Sequence, residues 1–424
     1  MYSNKSSAYS QARYNESMKA DYTFIAPHMA EPHLDILESL FRGIGYNLTI
    51  LPMIDPGAVD VGVRYVHNDM CYPAIVVIGQ IMKAVLSGDY DTDKLAIILT
   101  QTGGGCRATN YVAMMREALE KAHLSHIPVI PLAFVPGGDE AGLKLSLKTV
   151  IRAFYTFIIG DVLMQCLLRT RPYEAVEGSA ESLYDSFVEQ AKNKISSMGF
   201  IKYTWFTWKV IRAFSKLKLV NDKSKPRFGI VGEILLKYHS TANNEIIKLI
   251  EKNGCEAVVL PLFDFFLYCM SGSIFQNKPL GTKKLYRYAM IVAIGLAEIV
   301  RSPVRAMLRM SSRFSPPPTI YGLAKLREGL INICNTMGEG WLLVAEMIEL
   351  ITSEVGNVIT VQPFGCLPNH IVAKGVINEL HRRFPSANII ALDYDPGASS
   401  TNQENRLRMA ITRAKKNFVS NPAD

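Results

Sequence analysis

Three cysteines sit where a chain can bring a thiol up to a ligand: Cys71 in "NDMCYP", Cys106 in "QTGGGCRATNY" and Cys366 in "QPFGCLPNH". Proline stands two residues after Cys71 and Cys366, and glycine stands immediately before Cys106 and Cys366, as Gly105 and Gly365. Glycine lets a backbone crowd a bulky group, at an entropic cost. Proline stiffens the loop that follows. Thiolates and cluster sulfides carry negative charge and accept backbone N–H hydrogen bonds. Three such thiolates would hold three irons of a cubane [4Fe–4S] cluster, leaving the fourth iron open to a substrate, solvent or bridging ligand. Helix N-termini behind Cys71 and Cys106 are expected to favour the thiolate through their dipole. No two of the cysteines form a CxxC pair, so spacing does not select zinc.

Two other readings stand beside this one. A glycine-rich loop before a helix also cradles phosphate, but no GxxxxGK[ST] is present, and "GIVGE" at 229–233 departs from GxGxxG. A buried lone cysteine is usually a small hydrophobe. Cys166, Cys255 and Cys334 fit that description, and Cys269 in "FDFFLYC" fits either. A nucleophilic serine triad has no support: GxSxG is missing, and the eight histidines are scattered.

Other polar residues could serve the same site. Glu233 and His239, in "GEILLKYHSTANN", follow a predicted strand and are candidates for proton transfer or ligand binding, with loop capping as the alternative. Glu339 in "MGEGW" is flanked by glycines that would let a ligand approach. Arg107 and Asn110 could donate hydrogen bonds to a cluster or a substrate carbonyl. Asp393 and Asp395 in "DYDPG" read as turn stabilisers.

The elements that must position these residues alternate between strand and helix. Residues 22–27, 47–52, 94–100 and 127–134 read as strands, with helices at 32–46, 71–88 and 110–124 between them. A second such unit has strands at 227–234, 256–262, 357–366 and 388–400. Its predicted helices are 241–255, opened by a Thr–x–x–Asn cap and closed at Gly254, then 281–311, 321–333, 370–384 and 401–417. The stretch 144–222 is helical without strand rhythm. The expected fold is therefore α/β: two Rossmann-like, doubly wound, mostly parallel domains with an inserted helical region. The boundaries are a polar arm at 1–20, a first α/β domain at 21–143, a helical region at 144–224 and a second α/β domain at 225–424. No internal repeat is convincing at residue level.

Composition agrees with a globular chain: 424 residues, 49% hydrophobic and 20% charged. The net charge of +8 comes without an arginine-rich run or a basic stripe interleaved with aromatics, so no nucleic-acid partner is expected. Lysines at 191–226 and 413–417 read as solvated helix faces, with an acidic or phosphorylated ligand as the alternative. The N-terminus lacks a signal peptide. The longest apolar runs, 156–168 and 289–300, look too short for a membrane span and each carries an acid. Seven cysteines, an odd count in a leaderless chain, argue against a disulfide framework. The expectation is a cytoplasmic protein with no membrane partner.

Several stretches together resemble one family: "NDMCYPAIVVIGQI", "QTGGGCRATNY", "GDVLMQ…RTRPYE", "GIVGEILLKYHSTANN", "LFDFFLYC", "NTMGEGW", "QPFGCLPNH" and "DYDPGASSTNQENR". Over roughly residues 21–410 the chain is similar to the C-terminal module of the activase-related proteins of anaerobes. That module is related to the iron–sulfur subunits of 2-hydroxyacyl-CoA dehydratases and to double-cubane-cluster proteins. The resemblance implies an oxygen-sensitive iron–sulfur protein that takes a low-potential electron from an ATP-hydrolysing activator. In the dehydratases that electron makes a ketyl radical of an acyl-CoA and lets water leave. Cys71, Cys106 and Cys366 fall in the loops that look like cluster ligands. A double cubane needs six thiolates, which seven cysteines could supply. The chain has no nucleotide-phosphate motif, so an activator is expected on a separate polypeptide. A homologous subunit or a second copy is a further expected partner, and acyl-CoA an expected substrate. The alternative is a non-catalytic, cluster-bearing or scaffold partner of the activator ATPase.

Overall fold

The structure is a computed structural model. It describes residues 12–55, 57–67, 69–101, 106–133, 143, 145–220, 225–276, 281, 284–353 and 355–420. Gly105, and with it the glycine run of "TGGGC", lies outside the described residues.

Eight strands form two four-stranded sheets, every pairing parallel. The first contains β1 (Thr23–Ala26), β2 (Asn47–Ile50), β3 (Leu95–Gln101) and β4 (Val129–Ala133), in the order β2-β1-β3-β4. The second contains β5 (Arg227–Gly232), β6 (Glu256–Val259), β7 (Asn357–Pro363) and β8 (Asn388–Tyr394), in the order β6-β5-β7-β8. The strands are apolar on both faces because helices cover both. Phe24, Ile25, Ile97, Leu99, Ile230, Val231, Ile359 and Val361 are all buried. The fold is α/β with two Rossmann-like sheets, as the strand–helix alternation predicts.

The two orders are the same: second, first, third, fourth. In each sheet the chain reverses its winding direction between the first and third strands. That reversal opens a crevice beyond the strands' carboxyl ends, where ligands of such sheets bind. The loops after β3, β5 and β7 all leave from these ends.

Between the sheets lie helices Leu147–Thr170, Ser179–Lys194 and Phe200–Lys216. Ser146 starts the first of them by accepting a hydrogen bond from the Thr149 N–H at 3.2 Å. The segment Leu147–Tyr173 is long and apolar enough to cross a membrane, contrary to the expectation from its apolar run at 156–168. Its apolar window is 67% buried inside the protein, so core packing accounts for its hydropathy. Its one acid, Asp161, is buried too. Asp161 accepts from the His33 ring at 2.9 Å and from the Leu262 and Phe263 N–H groups at 2.7 and 3.1 Å. This carboxylate ties the inserted helix to both halves.

Four helical expectations need correction. The helix expected at 241–255 runs only Ile246–Lys252, because Asn244 and Glu245 adopt positive φ (55° and 52°) and interrupt it. Its N-cap position is Glu245, the Asn243 side chain before it accepts from the Ile246 N–H at 3.2 Å, and Thr241 donates instead to the Met53 carbonyl at 3.0 Å. The helix expected at 321–333 is Ile320–Leu326, followed by turns. The helix after β7 opens with a wide π turn, Pro368–Lys374, before Gly375–Arg383. Helices Ala58–Tyr65, Leu262–Phe275 and Trp341–Thr352 were not foreseen.

Candidate functional site

Cys71 is the N-cap residue of helix Tyr72–Leu86, and Pro73 occupies that helix's first turn. Cys106 caps a short 3₁₀ turn, Arg107–Asn110, that leads into helix Tyr111–Lys121. Cys366 follows β7 and precedes the π turn. These three places are far apart in the chain and belong to both sheets. They line one recess of about 610 Å³, counting the part open to solvent.

Glu233 and Glu339 line the same recess, as do Arg107 and Gly365. Glu233 follows β5 and N-caps the short helix Ile234–Tyr238, its Oε2 accepting from the Leu236 N–H at 2.9 Å. Glu339 reaches the next residue of the same turn: its Oε1 accepts from the Ile234 N–H at 3.1 Å. Gly338 and Gly340 on either side have φ of 55° and 42°, a conformation that side chains resist. A Cβ on Gly338 would come within 2.7 Å of the Pro368 ring, with the Cys106 Sγ at an ordinary contact distance of 3.8 Å. Gly338 therefore lets this loop pack against Pro368 beside the Cys106 thiol, and Gly340 lets it pass the Asn335 carbonyl and the Tyr268 hydroxyl.

Two expected residues lie elsewhere. Asn110 is exposed and does not line the recess. His239 is 1% exposed at the far end of the short helix that Glu233 opens. Its Nε2 lies 3.1 Å from the Gln80 side-chain nitrogen, and its Nδ1 accepts from the Ala242 N–H at 3.1 Å. It bridges the two halves rather than facing the recess. Asp395 does make the expected turn, accepting from the Gly397 N–H at 3.2 Å. Asp393 instead joins a polar cluster with Gln362 at 2.5 Å, His370 at 3.2 Å and Lys374 at 3.4 Å.

All seven cysteines are free. Cys166 and Cys255 are fully buried, as small hydrophobes would be. Cys334 is not: it is half-buried in the turns before Gly338. Cys269 is half-buried on helix Leu262–Phe275 and does not line the recess.

The electrostatics favour neutral acids. Burial pushes the Cys71 thiol up, against a backbone N–H bond from Ala74 that pulls it down. Burial, then the nearby Glu339, pushes Cys106 up to about 12. Cys366 is raised for the same two reasons, although the Asn369 side chain donates to its Sγ at 3.3 Å. The expected help from helix N-termini is present and too small. A dipole contributes about 0.3–1 kcal/mol, less than one tenfold step in ionisation. Burial, then Glu339, raises Glu233 to about 8, and burial raises Glu339 to about 6. Among the described residues, Arg107 is the only basic one on the wall. Three thiols and two carboxyls against one cation make a donor set short of positive charge. A bound metal would supply it and deprotonate the thiols.

Among the described residues, no three histidine, cysteine, aspartate or glutamate side chains are spaced to hold one metal ion. A single ion binds thiolates at about 2.3 Å and so draws its ligands together. A cluster binds each thiolate through a different iron, which spreads them. Cys71, Cys106 and Cys366 share the wall of one recess without meeting as a single-ion ligand set.

No family model and no curated protein matches this chain.

Sequence reasoning missed the rest of the wall. Tyr111, whose hydroxyl is 3.8 Å from the Cys71 Sγ, and Phe265 both line the recess. Tyr111 follows directly on "CRATN", a proximity the sequence offered. Phe265 lies in the unforeseen helix Leu262–Phe275, and nothing local marks it.

Proposed function

We propose that this chain is an iron–sulfur protein in which Cys71, Cys106 and Cys366 hold a [4Fe–4S] cluster. Its role is low-potential electron transfer or reductive dehydration, fed by an ATP-hydrolysing activator on another polypeptide. The observation that carries the reading is the meeting of three Gly- or Pro-framed thiols, from loops of both sheets, in one cation-poor recess. The loops that supply them are those on which the chain resembles the cluster-carrying subunits of 2-hydroxyacyl-CoA dehydratases.

When bound, the cluster would supply one-electron transfer at low potential, with one iron free of protein thiolate. The chain's own residues supply the remainder. Asn369 orients the Cys366 sulfur, and Tyr111 lies against that of Cys71. Glu233, with its carboxyl raised to about 8, can hold a proton near neutral pH and release it. Pro73, Pro363, Pro368 and Phe265 keep part of the wall dry. A single cubane is favoured over a double one. Cys166 and Cys255 are core residues away from the recess, so five cysteines remain where a double cubane needs six.

The test is purification without oxygen, followed by iron and sulfide analysis and by visible and EPR spectra. The expected result is about four irons per chain with a cluster spectrum. Colourless, iron-free protein after anaerobic reconstitution would sink the reading.

A further inference from the structure

Protein interiors hold few voids larger than a water molecule. Yet a second chamber, of about 860 Å³ including its open part, adjoins the thiol recess. The two share Ala108, Tyr111, Glu233, Ile234 and Phe265 as a common wall. Elsewhere the chamber is hydrocarbon and aromatic, with Met29, Leu34, Leu37, Leu132 and Phe157 among its lining. Among the described residues, no lysine, arginine, histidine or aspartate lines it.

Its polar groups are few and lie to one side. The Tyr238 hydroxyl is committed to the Leu260 carbonyl at 2.6 Å. The Thr100 hydroxyl is 3.7 Å from the Met29 sulfur, a weak acceptor. Tyr111 and Glu233 are left, and both belong to the wall shared with the thiols. The chamber also sits where the fold would place a ligand. Met29 and Ala30 follow β1, Thr100 lies near the carboxyl end of β3, and Glu233 follows β5. These are the crevices of both sheets.

We propose that this chamber binds the hydrocarbon or aryl body of an uncharged small molecule, whose oxygen function is held at the shared wall by Tyr111 and Glu233. A carboxylate or phosphate does not suit it, because burying a charge without a counter-charge is costly and the wall offers no cation. That the bound oxygen function faces a redox centre rests on the function proposed above. The binding itself does not.

The experiment uses the anaerobically purified chain with its iron measured. Hexan-1-ol and benzyl alcohol are the probes, and hexanoate and hexylammonium are the charged controls, all followed by calorimetry and ligand-observed NMR. The alcohols should bind saturably, and hexanoate should bind at least about tenfold more weakly. Hexylammonium binding more tightly than the alcohol would overturn the uncharged assignment. Ala30→Phe fills the chamber from the loop after β1 and Leu132→Trp from β4. Each should abolish alcohol binding while leaving iron content at the wild-type value. If one fails to fold, the other decides, together with a hexan-1-ol-dependent rise in the wild-type melting temperature. Iron-loaded protein that binds neither alcohol overturns the proposal. So does a folded filling variant that binds as the wild type does. Iron-free protein that still binds them saturably supports the chamber and removes the cluster.

Discussion

The two halves of the molecule share a strand order and differ in what they bury. In the first sheet and its helices the buried polar groups are few: His28, His33 and Gln80. The second half buries full charges in pairs. Lys237 meets Glu346 at 2.7 Å, Arg301 meets Asp264 at 2.6 Å, and Glu256 takes Arg227 at 3.0 Å, the Tyr173 hydroxyl at 2.9 Å and Arg169. Against that habit, Glu233 and Glu339 stand out. Each is buried and accepts a hydrogen bond from a backbone N–H, and among the described residues neither has an ion-pair partner. A fold that pairs its other buried carboxylates and leaves two unpaired beside three thiols is holding a charge pattern for something else. The first half contributes thiols on a hydrocarbon scaffold. The second contributes the acids and the third thiol, Cys366.

The largest effect should come from breaking the contribution of either half to the shared site. Cys71→Ala and Cys106→Ala remove a thiol from the first half, and Cys366→Ala removes one from the second. Each should bring iron after anaerobic reconstitution from about four per chain to near zero. Cys166→Ala, in the core of the inserted helix, should keep all of it. Full iron in any of the first three would mean that the halves do not share the cluster.

How much of this was written in the sequence depends on the kind of signal. All eight strands were legible because short apolar runs ended at glycine, proline or polar turns. Helix Tyr72–Leu86 was legible from Pro73 and the run behind it. Helices Leu262–Phe275 and Trp341–Thr352 were not, because a helix buried on most sides has no polar face to set a period. The recess was legible at Cys71, Cys106, Cys366, Glu233, Glu339, Arg107 and Gly365, whose loop positions after strands or before helices showed locally. His239 misled because it lies only six residues from Glu233, and the short helix between them carries it to another surface. The ion pairs were invisible: Lys237 and Glu346 are 109 residues apart.

Those pairs supply the next test of the comparison. Lys237→Met leaves Glu346 buried without its partner and should cost about 3–5 kcal/mol by denaturant midpoint. Replacing both Lys237 and Glu346 with Met should recover most of that. A single variant as stable as the wild type would show that the second half does not depend on its charge pairs.

A smaller effect belongs to the contact between the halves. Burial lowers the His239 ring from 6.5 to about 4, so it folds neutral. Its contribution is fully present above pH 6.5 and is lost as pH falls toward 4, on the order of 3 kcal/mol over that window. The raised carboxyl of Glu233 works the opposite way, favouring the folded state at low pH and losing that as pH rises from 4.5 to about 8. Melting temperature against pH is therefore best compared in the Glu233→Gln background. There, adding His239→Gln should flatten the fall between pH 6.5 and 4. Equal slopes would show that His239 does not stay neutral at the contact.

The smallest effect tests the hydrocarbon half by itself. Helix Ala58–Tyr65 crosses helix Tyr72–Leu86 with backbone against backbone, and a Cβ on Gly79 would collide with the Ala58 carbonyl oxygen. Gly79→Ala gains about 1 kcal/mol of helix propensity, which lowers the net loss. Overpacking costs about 1–3 kcal/mol, so the variant should be destabilised by up to about 2 kcal/mol in a denaturant titration. The loss should be independent of pH between 5 and 8, since no titrating group changes partner. In that it would differ from the His239 effect. It should also carry a second consequence, because Cys71 caps the helix that Gly79 holds in place. A shift of that helix should reduce iron retention in Gly79→Ala, while Lys237→Met, in the other half, loses stability first. Full stability in Gly79→Ala would show that the two helices can separate freely, and Cys71 would then have no fixed place at the recess.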